Sequence, residues 1–289
     1  MMIDRILTYG RMIKFSHSIF ALPFALSGVV LASTRADITP TVVGWVVLAM
    51  VGARSAAMGF NRWADRKMDA ENPRTANREI PTGQISPSAV LALIAVSSAV
   101  LVYAAFRLNP LCFTLSPVAL GIVFFYSLTK RFTWATQVFL GLALSVAPVG
   151  AWIAVTGSLD LEILALGGAV LLWVAGFDII YATQDADFDR KYGAYSIPQR
   201  FGIGRALRIA RALHTMAFAA MIVVGQVFGL GVFYYVGVFA IGGLLIYEHR
   251  LVTPDDLSKA GIAFMNLNAA ISVAYFVFTA VDVLVVPNV

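Results

Sequence analysis

Two acidic stretches of the chain resemble each other and set its organisation. The first reads Asn61-Arg62-Trp63-Ala64-Asp65-Arg66-Lys67-Met68-Asp69, and the second reads Tyr181-Ala182-Thr183-Gln184-Asp185-Ala186-Asp187-Phe188-Asp189. Each follows a long apolar run, places two Asp residues four positions apart and precedes a basic loop that contains Pro and Gly. Residues four apart lie on the same face of a helix, so each Asp pair is predicted to point one way at a helix end.

The composition indicates the class of protein. Of the 289 residues, 60% are hydrophobic and 13% are charged, and the mean hydropathy is +0.81. A soluble domain carries about 25% charged residues, so the sequence predicts a polytopic membrane protein. The net charge of +5 does not indicate nucleic-acid binding, because basic residues of membrane proteins collect in cytoplasmic loops. One cysteine and three scattered histidines exclude an internal disulfide and argue against a Cys- or His-rich metal site.

Nine apolar segments approach the roughly 20 residues that a membrane-spanning helix needs. They lie at residues 14–33, 41–62, 87–107, 110–128, 134–156, 161–183, 206–228, 231–249 and 264–286. We therefore predict an all-α polytopic membrane protein in which nine transmembrane helices form a single domain, residues 1–289. The acidic motifs open its cytoplasmic loops, at about residues 61–86 and 185–205.

The distribution of Lys and Arg predicts the orientation of these helices. With the N-terminus in the cytoplasm, 18 of the 21 basic residues fall on the cytoplasmic side of the lipid bilayer or next to it. Only Arg35 and Arg107 lie on the opposite side, and Arg54 lies inside the second helix. Both acidic stretches then face the cytoplasm. The absence of an Arg- and Ser-rich transit peptide favours a bacterial inner membrane.

Polar residues form a stripe on the second helix and another on the sixth. The stripes consist of Arg54, Asn61, Asp65 and Asp69 on the second helix and of Asp178, Tyr181, Asp185 and Asp189 on the sixth. Ionisable residues at membrane depth tend to face the bundle interior or a wet cavity. We therefore expect the stripes to face each other across a central cavity that opens to the cytoplasm, with no matching cations among the four carboxylates.

Carboxylates in such a cavity suit Mg²⁺, which proteins usually hold by one or two carboxylates together with substrate phosphates. Basic residues of the same loops suit the remaining phosphate charge. These residues are Arg62, Arg66, Lys67, Arg74, Arg78, Arg190, Lys191 and Arg200. Because the rest of the cavity is expected to be apolar, the predicted substrate is a diphosphate with a long apolar tail.

The motifs resemble those of the UbiA superfamily of intramembrane aromatic prenyltransferases. Asn61, Asp65 and Asp69 match its Asn-xxx-Asp-xxx-Asp motif. Residues 74–83, Arg-Thr-Ala-Asn-Arg-Glu-Ile-Pro-Thr-Gly, match the continuation of that motif in the hydroxybenzoate branch, and residues 126–133 resemble its Tyr-Pro-x-x-Lys-Arg-x-Thr loop. The resemblance covers nearly the whole chain and implies a nine-helix bundle.

The resemblance also implies a reaction, in which a polyprenyl diphosphate and an aromatic acid such as 4-hydroxybenzoate are joined for ubiquinone synthesis. Two Mg²⁺ ions would be held by Asp65, Asp69, Asp185 and Asp189. The diphosphate would contact Asn61, Arg66, Lys67 and Arg131, and the carboxylate of the acceptor would contact Arg54, Lys130 or Arg131. The allylic cation would be stabilised by aromatic faces near the stripes, Phe60, Trp63, Phe177 and Tyr181. Either Asp178 or Asp189 would remove the proton.

Two departures from the family pattern leave the acceptor open. Position 62 is Arg where many members have Asp, and position 193 is Gly where some hydroxybenzoate enzymes have Asp. Residues 60–62 and 177–185 are most similar to a sub-branch of the futalosine route, so 1,4-dihydroxy-6-naphthoate for menaquinone synthesis is an alternative acceptor, as is a homogentisate-like ring. A membrane transporter is the alternative from another class, because intramembrane charges are typical of transporters as well.

Overall fold

The protein is a bundle of long helices, described by a computed structural model over residues 8–14 and 18–286 without the side chains of residues 18 and 19. The helices are α1 (Ser18–Ala32), α2 (Pro40–Glu71), α3 (Pro87–Leu108), α4 (Pro110–Thr129), α5 (Thr136–Thr156), α6 (Leu161–Ala182), α7 (Ala186–Tyr192), α8 (Ile197–Phe201), α9 (Ile203–Val227), α10 (Val232–Leu251) and α11 (Ala260–Leu284). The predicted all-α class is confirmed.

Eight helices of the described part of the chain are long and apolar enough to cross a membrane. They are α2 to α6 and α9 to α11, and α6 continues into α7. The first predicted span, residues 14–33, corresponds to α1, whose 15 residues fall short of the roughly 20 that a spanning helix needs. Part of that predicted span, residues 15–17, lies outside the described residues, so the predicted count of nine is not confirmed.

Three of the helices begin at a polar residue followed by proline. The side chain of Thr39 accepts a hydrogen bond from the backbone N–H of the third residue after it, and Ser86 and Asn109 do the same at α3 and α4. Such caps satisfy an otherwise unpaired donor, and proline fits the first helical position because it lacks the N–H. These caps define where α2, α3 and α4 begin.

Helix α2 is longer than its apolar run predicts. Its 32 residues continue to Glu71, nine residues beyond the predicted end at residue 62. The helix ends where the backbone N–H of Asn72 donates to the carbonyl of Met68 and the backbone becomes extended. Asp65 and Asp69 therefore occupy its last two turns, as the four-residue spacing predicts.

Helix α6 is the central element of the bundle. Its end at Ala182 agrees with the predicted 161–183, and its side chains Trp173 and Phe177 are buried. Trp173 packs 5.0 Å from the ring of Phe24 in α1, and its indole N–H donates to the side chain of Asn268 in α11 at 2.8 Å. A single 3-10 turn, Thr183–Asp185, then separates α6 from α7. This packing fixes where the second acidic motif leaves the bundle.

Helix α11 contains a π-helical turn at Ala263–Leu267. Such turns are rare and occur frequently at functional sites, because they shift the facing of the residues on either side. The turn lets Phe264 face α6 while Asn268 remains fully buried beside Trp173.

We predict that Gly141→Ala lowers the free energy of unfolding by about 1–3 kcal/mol, because overpacking a tight contact costs this much. A methyl group on Gly141 of α5 would lie 2.3 Å from the backbone oxygen of Leu171 in α6. The melting temperature of the purified protein in detergent measures the loss. Gly168→Ala is the matched control, since nothing lies within 4 Å of the added methyl group. Equal melting temperatures for the two variants would contradict this description of the α5–α6 contact.

Candidate active site

A cavity of about 670 Å³ lies inside the bundle and carries polar side chains at one end. Both predicted stripes line this cavity, which confirms that α2 and α6 face each other across it. Beyond the polar end the lining is apolar, with residues such as Met50, Leu101, Ile122 and Leu140. The cavity can therefore hold a molecule with a charged head and an apolar tail.

Asp65 of α2 is buried and is held by two cations. Lys130 Nζ lies 2.6 Å from one carboxylate oxygen, and Arg131 lies 3.1 Å from the other. Asn61, one helical turn earlier, also donates to Asp65 at 3.1 Å. Burial opposes the charge of Lys130, but the Asp65 carboxylate raises the pKa of this lysine above its ordinary value. Lys130 is therefore charged at neutral pH and stays paired with the Asp65 carboxylate.

Asp69 lies one turn further along α2 and is paired with the basic loop that follows the helix. Arg78 donates to one of its carboxylate oxygens at 2.6 Å, and the hydroxyl of Thr75 donates to its backbone carbonyl at 3.0 Å. The other carboxylate oxygen of Asp69 is buried and has no hydrogen-bond partner within the described residues. A buried carboxylate oxygen without a partner is costly, which favours a cationic ligand at this point.

Asp185 connects the two motifs. Both of its carboxylate oxygens accept from the guanidinium of Arg74, and Asn72 donates to it at 3.0 Å. The guanidinium of Arg74 also donates to the Tyr181 hydroxyl at 2.8 Å. Burial opposes the charge of Arg74, but its hydrogen bonds to Asp185 and the nearby Tyr181 raise the pKa of the arginine. The loop after α2 is thereby fastened to the end of α6.

Asp189 and Ser196 complete the polar end of the cavity. The hydroxyl of Ser196 donates to Asp189 at 2.9 Å. The expectation that no cations lie among the four carboxylates is wrong, since Asp65, Asp69 and Asp185 each form an ion pair. Within the described part of the chain no three acidic, His or Cys side chains form a ready metal cluster. The physical reason is that buried carboxylates are costly without cations, and the loop after α2 and the end of α4 supply these cations.

Deeper in the cavity lie Arg54 and Asp178. The two side chains do not form an ion pair, because no contact within 4.0 Å joins them. The Nε of Arg54 is buried and has no hydrogen-bond partner in the described residues, although the side chain lines the cavity. A guanidinium with an unused donor suits a carboxylate or another acceptor on a bound molecule.

Four aromatic side chains form one cluster on the cavity wall. Phe264 stacks on Tyr181 with ring centroids 4.2 Å apart and meets Phe177 and Phe20 at 5.4 and 5.3 Å. All four line the cavity beside the carboxylates, whereas Phe60 and Trp63 do not and pack with residues of α3 and α4. Two of the four predicted aromatic candidates, Phe177 and Tyr181, are therefore placed at the cavity.

Three predicted contacts to the substrate do not line the cavity. Arg66 donates to the backbone carbonyl of Trp63 at 2.7 Å and lies over its ring, and Lys67 is exposed. Arg131 reaches Asp65 from the outer side, where it also donates to the carbonyl of Ala64. Arg190, Lys191 and Arg200, which the sequence suggested for the phosphate charge, do not line the cavity either. The remaining residues predicted to hold the metal or the substrates do line it; they are Arg54, Asn61, Asp65, Asp69, Lys130, Asp178, Tyr181, Asp185 and Asp189.

Arg62 has a structural contact that accounts for its position in the first motif. It is 5% exposed, and its Nε donates to the backbone carbonyl of Met12 at 3.3 Å. The arginine thereby fastens residues 8–14 to α2. Lys14 of this segment lines the cavity, and burial together with the charge of Arg62 lowers its pKa.

The sequence did not identify several residues of the polar end as site residues, and it indicated two of them only as basic residues of the loops. They are Lys14, Asn72, Arg74, Arg78, Ser196 and Phe264. The motif at residues 74–83 was a signal for the two arginines, whose spacing of four brings each to a different carboxylate. Nothing local marks Lys14, Ser196 or Phe264, because their contacts depend on the packing of distant segments.

Comparison with known proteins agrees with this geometry. Residues 21–270 match the model of the UbiA prenyltransferase family. The chain belongs to this family. A 4-hydroxybenzoate octaprenyltransferase from Vibrio atlanticus (strain LGP32) is 34% identical over 234 residues, which are 80% of this chain and 82% of the relative. The protein is therefore a prenyltransferase, and the transporter alternative is set aside.

Solved structures of UbiA proteins have the same fold. The apo structure of a UbiA homolog from Aeropyrum pernix K1 is 32% identical, with a TM-score of 0.80 over 92% of this chain and 96% of that one. A UbiA homolog from Archaeoglobus fulgidus bound to GPP and Mg²⁺ is 19% identical, with a TM-score of 0.64 over 94% and 99% of the two chains. The second likeness supports the fold only.

We predict that Arg74→Gln loosens the loop after α2. The variant loses the ion pair with Asp185, and since this pair is partly exposed, its loss costs about 1 kcal/mol, or roughly a fivefold increase in local opening. Hydrogen exchange of residues 73–83 measures the opening. Arg190→Gln is the control, because it breaks only the exposed pair with Asp187. Unchanged exchange in Arg74→Gln would show that the pair does not hold the loop.

Proposed function

We propose that this UbiA protein transfers a polyprenyl group from a polyprenyl diphosphate to an aromatic acid of the 4-hydroxybenzoate type in quinone biosynthesis. The observation that carries the proposal is a single cavity whose polar end holds four carboxylates with their cations and whose remainder is apolar. The bacterial relative named above and the Lys and Arg distribution support a bacterial inner membrane, with the N-terminus in the cytoplasm.

The residues of the polar end fit Mg²⁺. Asp65, Asp69, Asp185 and Asp189 supply hard oxygen ligands, and one oxygen of Asp69 is buried without a partner in the described residues. Bound Mg²⁺ would neutralise charge that develops on the leaving diphosphate. These four carboxylates are the residues that would hold it.

The cations of the site are placed to hold the diphosphate. Lys130, Arg74 and Arg78 each pair with one of the carboxylates, so each can turn from its carboxylate to a phosphate oxygen over a short distance. Lys14 and Arg62 add positive charge at the same end of the cavity. A cluster of this kind attracts a polyanion and stabilises the leaving group as the allylic C–O bond breaks.

The aromatic cluster of Phe20, Phe177, Tyr181 and Phe264 is placed to stabilise the allylic cation. Ring faces attract a cation within about 6 Å, and this attraction grows where water is excluded. The cluster lies beside Arg74, whose Cζ is 5.1 Å from the centre of the Tyr181 ring. Arg74 would thus stabilise the departing diphosphate, and the adjacent aromatic rings would stabilise the allylic carbon. The apolar lining excludes water from the cation.

Arg54 is the residue we assign to the carboxylate of the acceptor. It lies deeper than the Asp residues and has a free Nε donor, and Asp178 lines the same region. Electrophilic attack on the ring releases a proton, and Asp178 or Asp189 accepts it. The same contacts would serve 1,4-dihydroxy-6-naphthoate, which is why the acceptor must be tested directly.

The direct experiment measures prenyl transfer in isolated membranes. A polyprenyl diphosphate is offered with 4-hydroxybenzoate or with 1,4-dihydroxy-6-naphthoate, in Mg²⁺ or in EDTA. We expect product from 4-hydroxybenzoate only in Mg²⁺. Product from the naphthoate alone would move the protein to menaquinone synthesis. No Mg²⁺-dependent product from either acid would contradict the proposed reaction.

We predict that Asp65→Asn lowers the rate of prenyl transfer at least about 100-fold while the protein remains folded, since removal of one group that stabilises developing charge has this effect. The side chain of the variant keeps its size but loses the charge that a metal ligand needs. Asp187→Asn is the matched control, because Asp187 is 86% exposed and does not line the cavity. Retained activity in Asp65→Asn would remove this residue from the metal site.

We predict that Arg54→Gln raises the KM for the aromatic acid about tenfold or more and leaves the affinity for the prenyl diphosphate unchanged. The expected change is the loss of one charge-assisted hydrogen bond to the acceptor. Initial rates at varied acid and saturating diphosphate measure it. Arg66→Gln removes the same charge from the same helix outside the cavity and serves as control. A rise in KM for the diphosphate instead would place Arg54 at the other substrate.

A further inference from the structure

A second concave site lies on the outer surface of the bundle between α9 and α10. It is a groove of about 750 Å³ whose polar end carries Arg211, His249 and Arg250. The groove lies at the end of the bundle where the acidic motifs are, because α9 begins and α10 ends there. No Asp or Glu lines it, in contrast to the cavity. The groove and the cavity therefore differ in the ligand that they can take.

Two consecutive glycines of α10, Gly242 and Gly243, form part of the apolar lining of the groove. A methyl group added to Gly243 would meet nothing within 4 Å, whereas one added to Gly242 would lie 2.9 Å from the ring of Phe218, which packs against this glycine. Phe239 and Ile246 of the same helix are 63% and 58% exposed on either side. Because α10 is one of the candidate membrane spans, these exposed apolar side chains face lipid. The apolar part of the groove is thus continuous with the acyl-chain region.

The floor of the groove is a fixed hydrogen-bond chain. His214 Nε2 lies 3.1 Å from the carbonyl of Trp173, which can only accept, so this nitrogen carries the hydrogen. In the neutral ring, Nδ1 of His214 then accepts from Nε2 of His249 at 3.0 Å. Glu248 lies behind His214 and accepts from Asn268 at 2.9 Å, outside the groove lining. The ring of His249 is held in place by these contacts.

Neither arginine of the groove has an acidic partner. The ion pairs among the described residues include neither Arg211 nor Arg250, and both residues are exposed. Two unpaired guanidinium groups at the lipid surface suit phosphate oxygens, which they bind with two parallel hydrogen bonds. Basic sites between membrane helices are typical of anionic headgroup recognition.

From these contacts we infer that the α9–α10 groove binds an anionic phospholipid, with its phosphate between Arg211 and Arg250 and an acyl chain along Gly242 and Gly243. A phosphodiester needs no metal to bind, which matches a lining without carboxylates. A prenyl diphosphate carries more negative charge. It suits the cavity instead, where Lys130, Arg74 and Arg78, together with Mg²⁺ on the carboxylates, would neutralise that charge. The inference is independent of the aromatic acceptor and of the transfer reaction.

Native mass spectrometry of the purified full-length protein tests the inference. The protein is incubated in detergent with equal amounts of phosphatidylcholine, phosphatidylglycerol and cardiolipin. We expect the first bound lipid to be anionic, and Arg211→Gln/Arg250→Gln to lower its affinity at least about tenfold. Arg205→Gln/Arg208→Gln is the matched control, because it removes the same charge from exposed positions near the start of α9 that do not line the groove.

A second variant distinguishes lipid binding in the groove from a general attraction of the lipid to basic residues on the surface. Gly243→Leu fills the apolar part while both arginines remain, and it is expected to weaken lipid binding without loss of fold, since the added side chain begins in open space. Equal lipid affinity in the arginine variant and the wild type would overturn the inference. So would equal losses in the two arginine double variants, preference for phosphatidylcholine, or displacement of the lipid by geranyl diphosphate.

Discussion

The neutralisation of buried negative charge is the constraint on which the active-site end of this protein depends. Asp65 and Asp69 are almost fully buried in the last turns of α2, and carboxylates in such surroundings are costly unless cations accompany them. The cations come from elsewhere in the chain, Lys130 from the end of α4 and Arg78 from the loop after α2. Charge pairing therefore holds that loop against the polar end of the cavity.

The same pairing links the stability of the site to its proposed chemistry. In each ion pair the carboxylate suits a divalent cation and the basic side chain suits phosphate. A metal–diphosphate complex would therefore supply a new partner to the carboxylate and to the basic side chain. The site thus needs little rearrangement of charge to accept its substrate, and groups that are already oriented cost little to reorganise when charge develops. The aromatic cluster lies beside Arg74, which contacts it through the hydroxyl and the ring of Tyr181.

Much of this arrangement could be predicted from sequence because its signals are local. The four-residue spacing of Asp65 and Asp69 requires only a helix, and the fold class follows from the apolar runs. The end of α2 was predicted too early because hydropathy falls at the motif, although the helix continues through it. The motif at residues 74–83 marked Arg74 and Arg78 as candidates, but the carboxylate with which each cation pairs and the position of Phe264 were not predictable, since they depend on how the segments meet in the folded bundle. The Asp185–Asp189 pair is also divided between a 3-10 turn and α7, which spacing does not reveal.

The π turn in α11 gives this helix two registers. Phe264 within the turn stacks on Tyr181 at the cavity, while Asn268 directly after it holds Glu248 and Trp173 in the network under the α9–α10 groove. An α-helix turns by about 100° per residue, so removing one residue from the turn would rotate one of these contacts away while the other stayed. The length of this five-residue turn thus sets how the residues at the cavity are oriented relative to those under the α9–α10 groove. An insertion or deletion in this segment would therefore break one of the two contacts, although the five residues themselves carry no charge.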